Sequence, residues 1–108
     1  MKRRLFGIAC FAVLLAPVAA NATSGPGCFR VVNVPNWDVL NVRSGPSAAN
    51  QIVDYLPPGR HGIISQSGPC IPYNKPLPSR WCPVTHYNGD ITRSGWVKRR
   101  YVAPSQCP

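Results

Sequence analysis

The sequence predicts a small all-β domain, and three observations carry that prediction. Short runs rich in Val, Ile and Tyr alternate with turn clusters of Gly, Pro, Asn and Ser, the pattern of short strands joined by tight connections. Thirteen prolines are spread through the 108 residues, and each one removes a backbone donor that a long helix would need. Four cysteines follow the N-terminal leader, an even set that suits covalent cross-linking of a core too small to be secure alone.

Residues 1–22 read as a cleavable signal peptide. Lys2, Arg3 and Arg4 supply positive charge, Leu5 to Leu15 is an apolar run, Pro17 breaks it, and Ala20-Asn21-Ala22 is a small-x-small cleavage pattern. The run is too short for the roughly 20 apolar residues of a membrane-spanning helix. Cys10 lies in its middle, with Gly7 where an acylation signal carries an aliphatic residue, so a lipoprotein reading is rejected. Cleavage after Ala22 leaves residues 23–27 as a flexible leader and residues 28–108 as one domain, placed in the periplasm or outside the cell. Three of the twelve Lys and Arg leave with the signal peptide, so nine face three Asp, a net of +6.

Cys28, Cys70, Cys82 and Cys107 then sit in an oxidising space, where such a set reads as a disulfide framework. Of three possible pairings the nested one is preferred: Cys70–Cys82 brackets a single proline-rich segment, and Cys28–Cys107 joins the two ends of the domain. A zinc site built on Cys70, Cys82 and His86 is disfavoured, because neither a CxxC nor a HxxxH spacing is present.

The elements follow in order. Phe29–Val34 is β-branched and reads as a strand, ended by a turn at Pro35–Asp38. Val39–Arg43 alternates, with Leu40 and Val42 on one face and Asn41 and Arg43 on the other. Ser44–Ser47 stops it. Ile52–Leu56 and His61–Gln66 are the next two strands, ended by Pro57-Pro58-Gly59 and Ser67-Gly68-Pro69. Ile71–Ser79 carries three prolines and no periodicity, so it is a loop. Arg80–Tyr87 is a fifth strand, and Pro83 within it assigns that part to an edge or a bulge. Asn88-Gly89 is a hairpin turn signal, and Gly95-Trp96-Val97 opens the last strand. Five or six such strands without a helical pattern suggest a small barrel or sandwich.

Together these residues resemble a known family. Val39 to Ser47 is similar to the L-N-V-R-x-G-P-S segment of the bacterial Src-homology-3 (SH3-like) family. Val53 to Gly59 resembles that family's strand and turn ahead of its central glycine. Trp81-Cys82-x-Val84, Gly95-Trp96-Val97 and Tyr101-Val102 resemble its closing W-x-x-V, G-W-V and Y-L pattern. The likeness runs from about Cys28 to Val102. It implies an SH3-like barrel of five to six short strands and a role in binding cell-wall peptidoglycan or an extended peptide. Two departures stand out: Ile71–Ser79 lengthens the link between the fourth and fifth strands, and the turn after Tyr87 reads as long. Many family members are targeting modules fused to cell-wall hydrolases; no catalytic domain is expected in this chain.

The residue inventory argues for binding over catalysis. With the four cysteines paired, no thiol is left to act as a nucleophile. His61 and His86 read as ordinary surface residues, and Asp38, Asp54 and Asp90 lie in different turns or strands rather than facing one cleft. No enzyme, metal or cofactor is expected. Seven Trp and Tyr residues, by contrast, are many for this length. Trp96 reads as a half-buried anchor. Trp37, Tyr55, Trp81 and Tyr101 are candidates for a shallow aromatic groove, since flat faces hold polyproline-like chains at low entropic cost. Lys98-Arg99-Arg100 is a basic cluster beside it, attractive to an anionic ligand. Expected partners are a cell-wall peptide or a periplasmic or extracellular protein, bound by a monomer; export argues against nucleic acid. An alternative is a secreted effector or inhibitor that engages a partner protein through the Cys70–Cys82 loop.

Overall fold

The computed structural model describes residues 27–108. The signal peptide expected over residues 1–22, and nearly all of the leader at 23–27, lie outside the described residues. Among the described residues the protein is all-β. Its strands are β1 (Cys28–Val31), β2 (Leu40–Arg43), β3 (Ile52–Leu56), β4 (Ile63–Gln66), β5 (Trp81–Asn88), β6 (Ile91–Lys98) and β7 (Val102–Ser105). Single 3-10 turns occupy Leu77–Ser79 and Arg99–Tyr101. All pairings are antiparallel, in one sheet ordered β3-β2-β6-β5-β4-β1-β7.

That sheet has to curl. Laid flat, β3 and β7 would stand about 29 Å apart, six strand spacings. Leu56 of β3 and Val102 of β7 nevertheless belong to the same buried cluster, together with Phe29, Val42, Ile64 and Val84. The wrap encloses one core, and strand alternation supplies it. Leu40 and Val42 face inward while Asn41 and Arg43 face outward, as the sequence pattern predicts. In β5 the inward set is Cys82, Val84 and His86. Gly95 marks the tightest approach within the wrap: a Cβ there would meet Val42 Cγ1 at 2.5 Å and the Arg43 carbonyl at 2.7 Å, so no side chain fits where β6 crosses β2.

Several expectations need correction. The first strand ends at Val31 rather than Val34, because Asn33 turns the chain with a left-handed φ of 59°, a conformation that Asn tolerates. The turn after Tyr87 is short, not long: Asn88 pairs with Ile91 across Gly89 and Asp90, and Gly89 takes the positive φ of 63° that the turn requires. Residues 91–94 are therefore strand, and the last strand but one begins at Ile91 instead of Gly95. A seventh strand, Val102–Ser105, pairs with β1. β5 is central in the sheet, not an edge. It accommodates Pro83 because Ser67 N–H donates to the Pro83 carbonyl, so the backbone of residue 83 faces the side where β4 has just ended. The missing N–H costs the β5–β6 ladder nothing. Finally, His86 is only 4% exposed, not a surface residue.

Both disulfides form in the nested pairing, Cys28–Cys107 over 79 positions and Cys70–Cys82 over 12. Among the described residues no helix is long and apolar enough to cross a membrane. Loop-closure entropy assigns the long bridge about 4 kcal/mol and the short one about 3 kcal/mol. The double replacement Cys28→Ser/Cys107→Ser is therefore expected to lower the unfolding free energy by about 4 kcal/mol, read from urea denaturation of the oxidised protein; a loss within experimental error would show that the core alone holds the sheet closed.

Candidate functional site

A groove of about 620 Å³ lies on the outside of the wrapped sheet. One wall is the β1–β2 connection and the outer face of β2, contributing Asn33, Asp38, Asn41 and Arg43. The opposite wall is Trp81 at the start of β5, Lys98 at the end of β6, and Arg100 and Tyr101 of the 3-10 turn that follows. Trp81 and Lys98 are direct partners in the β5–β6 register, which is why their side chains meet: the Lys98 ammonium lies 5.5 Å from the centre of the Trp81 ring.

Backbone and side-chain bonds hold the two walls in place. Val32 N–H donates to the Tyr101 carbonyl at 2.9 Å, and Asn33 Nδ2 donates to the Arg100 carbonyl at 3.0 Å. The connection is shaped locally by Asp38 N–H on the Pro35 carbonyl and by Val39 N–H on Asp38 Oδ1. Arg43 is steadied by donation from Nη1 to the Asn50 carbonyl at 3.2 Å. Arg43, Lys98 and Arg100 thus line the groove against a single carboxylate, Asp38, and its surface favours anionic groups.

Four of the sequence-predicted residues, Trp81, Tyr101, Lys98 and Arg100, come together in this groove. The other three do not. Trp37 stands in the β1–β2 connection, 84% exposed, and does not line the groove. Tyr55 pairs with Asn41 in the β2–β3 register but borders a separate cavity of about 290 Å³ with Asp54, His86, Asn88 and Arg93. Arg99 turns away, its Nη1 donating to the Val102 carbonyl at 2.6 Å and its guanidinium lying 5.8 Å from the centre of the Phe29 ring. The sequence reading missed Asn33, Asp38, Asn41 and Arg43 as groove residues. For the last two a signal existed, since alternation in Leu40–Arg43 already placed Asn41 and Arg43 on the outer face.

His86, buried, and Asp54, partly buried, form a pair that the sequence reading also missed. His86 Nδ1 lies 2.6 Å from Asp54 Oδ2, and Nε2 contacts the His61 carbonyl. The arrangement ties β5 to β3 and to the β3–β4 connection. His61 is itself engaged, with Nδ1 on the Gly62 carbonyl at 2.8 Å and Nε2 receiving Val31 N–H at 3.4 Å. Cys70 and Cys82, the other members of the disfavoured zinc set, are bonded to each other.

No family model matches this chain, nor does any curated protein or solved structure.

The His86–Asp54 pair yields a stability prediction. Removing one partner leaves the other largely out of water without its ion partner, which costs about 3 kcal/mol. Asp54→Ala and His86→Ala are each expected to destabilise the fold by that amount, and the double variant by clearly less than their sum; additive losses in the denaturation cycle would mean that the two groups do not stabilise each other.

Proposed function

We propose that this protein is an exported, non-enzymatic binding module of the SH3-like type, whose groove holds an extended, carboxylate-bearing peptide. The cell-wall stem peptide is the first candidate ligand, and an extended segment of another exported protein is the second. One observation carries the reading: Trp81, with Lys98 over its ring, lies in the same groove as Tyr101, Arg43 and Arg100. Aromatic faces take up an extended chain without demanding a particular side chain, and the cations select those segments that bear carboxylates. Export is supported by the leader pattern in residues 1–22 and by two disulfides, which persist in an oxidising compartment such as the periplasm or the medium. The resemblance of Val39–Ser47 and of the Trp81, Trp96 and Tyr101 segments to the SH3-like family points the same way.

A second reading is favoured by the loop between Cys70 and Cys82. Arg80 braces it from within, donating from Nε to the Lys75 carbonyl at 2.8 Å and from Nη2 to the Tyr73 carbonyl at 3.2 Å. Tyr73 is left 68% exposed. A braced loop loses little entropy on docking, as an effector or inhibitor that inserts a loop into a partner protein would require.

Both readings are separated by co-sedimentation with purified peptidoglycan sacculi and by capture from a periplasmic extract. The groove reading expects saturable binding that high salt weakens. It expects Trp81→Ala to cost about 2 kcal/mol of affinity, while Tyr55→Ala and Tyr73→Ala bind as the unaltered protein does. Capture of an extract protein that Tyr73→Ala abolishes and Trp81→Ala leaves intact would replace the groove reading with the loop reading.

A further inference from the structure

Beside the main groove lies a second concavity of about 430 Å³. It is lined by Val32 after β1, Leu77 and Pro78 of the 3-10 turn in the stapled loop, and Val102 and Ala103 of β7, with Arg99 of the turn before β7 beside them. Asn33 and Arg100 line both concavities, which sets the two side by side. Asn33 is also the one non-glycine residue with positive φ among those described, and its side chain is tied to the Arg100 carbonyl.

The loop supplies a wall that is already rigid. Ile71 and Trp81 exchange backbone hydrogen bonds of 2.8 and 2.7 Å beside the Cys70–Cys82 bridge. Arg80 N–H donates to the Leu77 carbonyl at 3.0 Å, and Arg99 N–H to the Arg80 carbonyl at 2.9 Å, which fastens the turn carrying Leu77 to the turn carrying Arg100. Leu77 nevertheless remains 45% exposed at the rim of the second hollow. An apolar residue held half in water beside Pro78 gains by being covered.

Resting on the groove reading above, we propose that the stapled loop builds a second compartment of that groove, specific for an aliphatic side chain. The ligand class narrows accordingly to an extended acidic peptide that carries a carboxylate against Arg100. A Leu, Ile or Val at a fixed spacing from that acid then lies against Leu77 and Pro78, while the chain beyond the acid crosses Trp81. The lengthened loop between β4 and β5 is thereby a specificity element.

The test selects random-sequence peptides displayed on phage against the oxidised protein and against Leu77→Ser, Arg100→Gln and Trp81→Ala. Leu77 and Arg100 are exposed, so these substitutions leave the core intact. The unaltered protein is expected to enrich peptides that pair Asp or Glu with an aliphatic residue at one spacing. Leu77→Ser is expected to lose the aliphatic preference, keep the acidic one and bind the best peptide about tenfold more weakly. Arg100→Gln is expected to lose the acidic preference. Acidic peptides that require Trp81 but show no aliphatic partner, or an aliphatic preference indifferent to Leu77→Ser, would overturn this inference and leave the groove reading standing. Enriched peptides indifferent to Trp81→Ala, or no enrichment at all, would overturn the groove reading and this inference with it.

Discussion

The Cys28–Cys107 bond is the constraint from which the rest of the molecule follows. It joins the first residue of β1 to the tail beyond β7, across 79 positions, and so fixes covalently the two strands that border each other at one end of the sheet. The core it protects is small: its largest fully buried side chains are Leu56 and Ile64, and several of the others are valines. Burial of that extent leaves only a few kcal/mol after chain entropy is set against it, the range in which natural small domains rely on staples. With the tail tied to β1, β7 stays paired at its end of the sheet, where Val102 and Phe29 share the core with Leu56 of β3; the same wrap brings Asp54 of β3 to His86 of β5.

The groove is a consequence of the same wrap. Trp81 and Lys98 face each other because β5 and β6 run as a long hairpin in register, and Arg100 and Tyr101 join them because the chain makes one 3-10 turn before returning to pair with β1. The β1–β2 connection is pinned to that turn by Val32 and Asn33. Nothing in the groove depends on a long flexible segment. The Cys70–Cys82 bridge does for the neighbouring loop what the longer bridge does for the sheet, holding a proline-rich excursion against the turn that carries the groove's cations.

Much of this was legible in the residues, and the failures have physical reasons. β3 was readable to its exact ends because Pro57-Pro58-Gly59 terminates it locally, and the nested disulfides followed from where the cysteines lie along the chain. The end of β1 was misplaced because Val31, Val32 and Val34 favour strand, while the turn at Asn33 is set by tertiary bonds to Arg100 and Tyr101. The hairpin signal at Asn88-Gly89 was correct, yet Arg93 and Ser94 obscured the strand after it, since both faces of that half of β6 are exposed. His86 was a missed inference: it shares strand parity with Cys82 and Val84, so its inward position was available from spacing alone. Its partner Asp54 was not, because only the wrap brings them together. The same wrap separates Tyr55 and Trp37 from Trp81, a division that no local pattern announces.

The central claim, that the outer groove and not the loop tip is the binding surface, is tested most directly by backbone and indole amide shifts of the isotope-labelled protein titrated with soluble muropeptides. The account predicts that the largest changes cluster at the Trp81 indole, Asn41, Lys98 and Arg100, with Tyr73 unmoved. Changes confined to Tyr73 and its neighbours in the stapled loop, with a silent Trp81 indole, would contradict it.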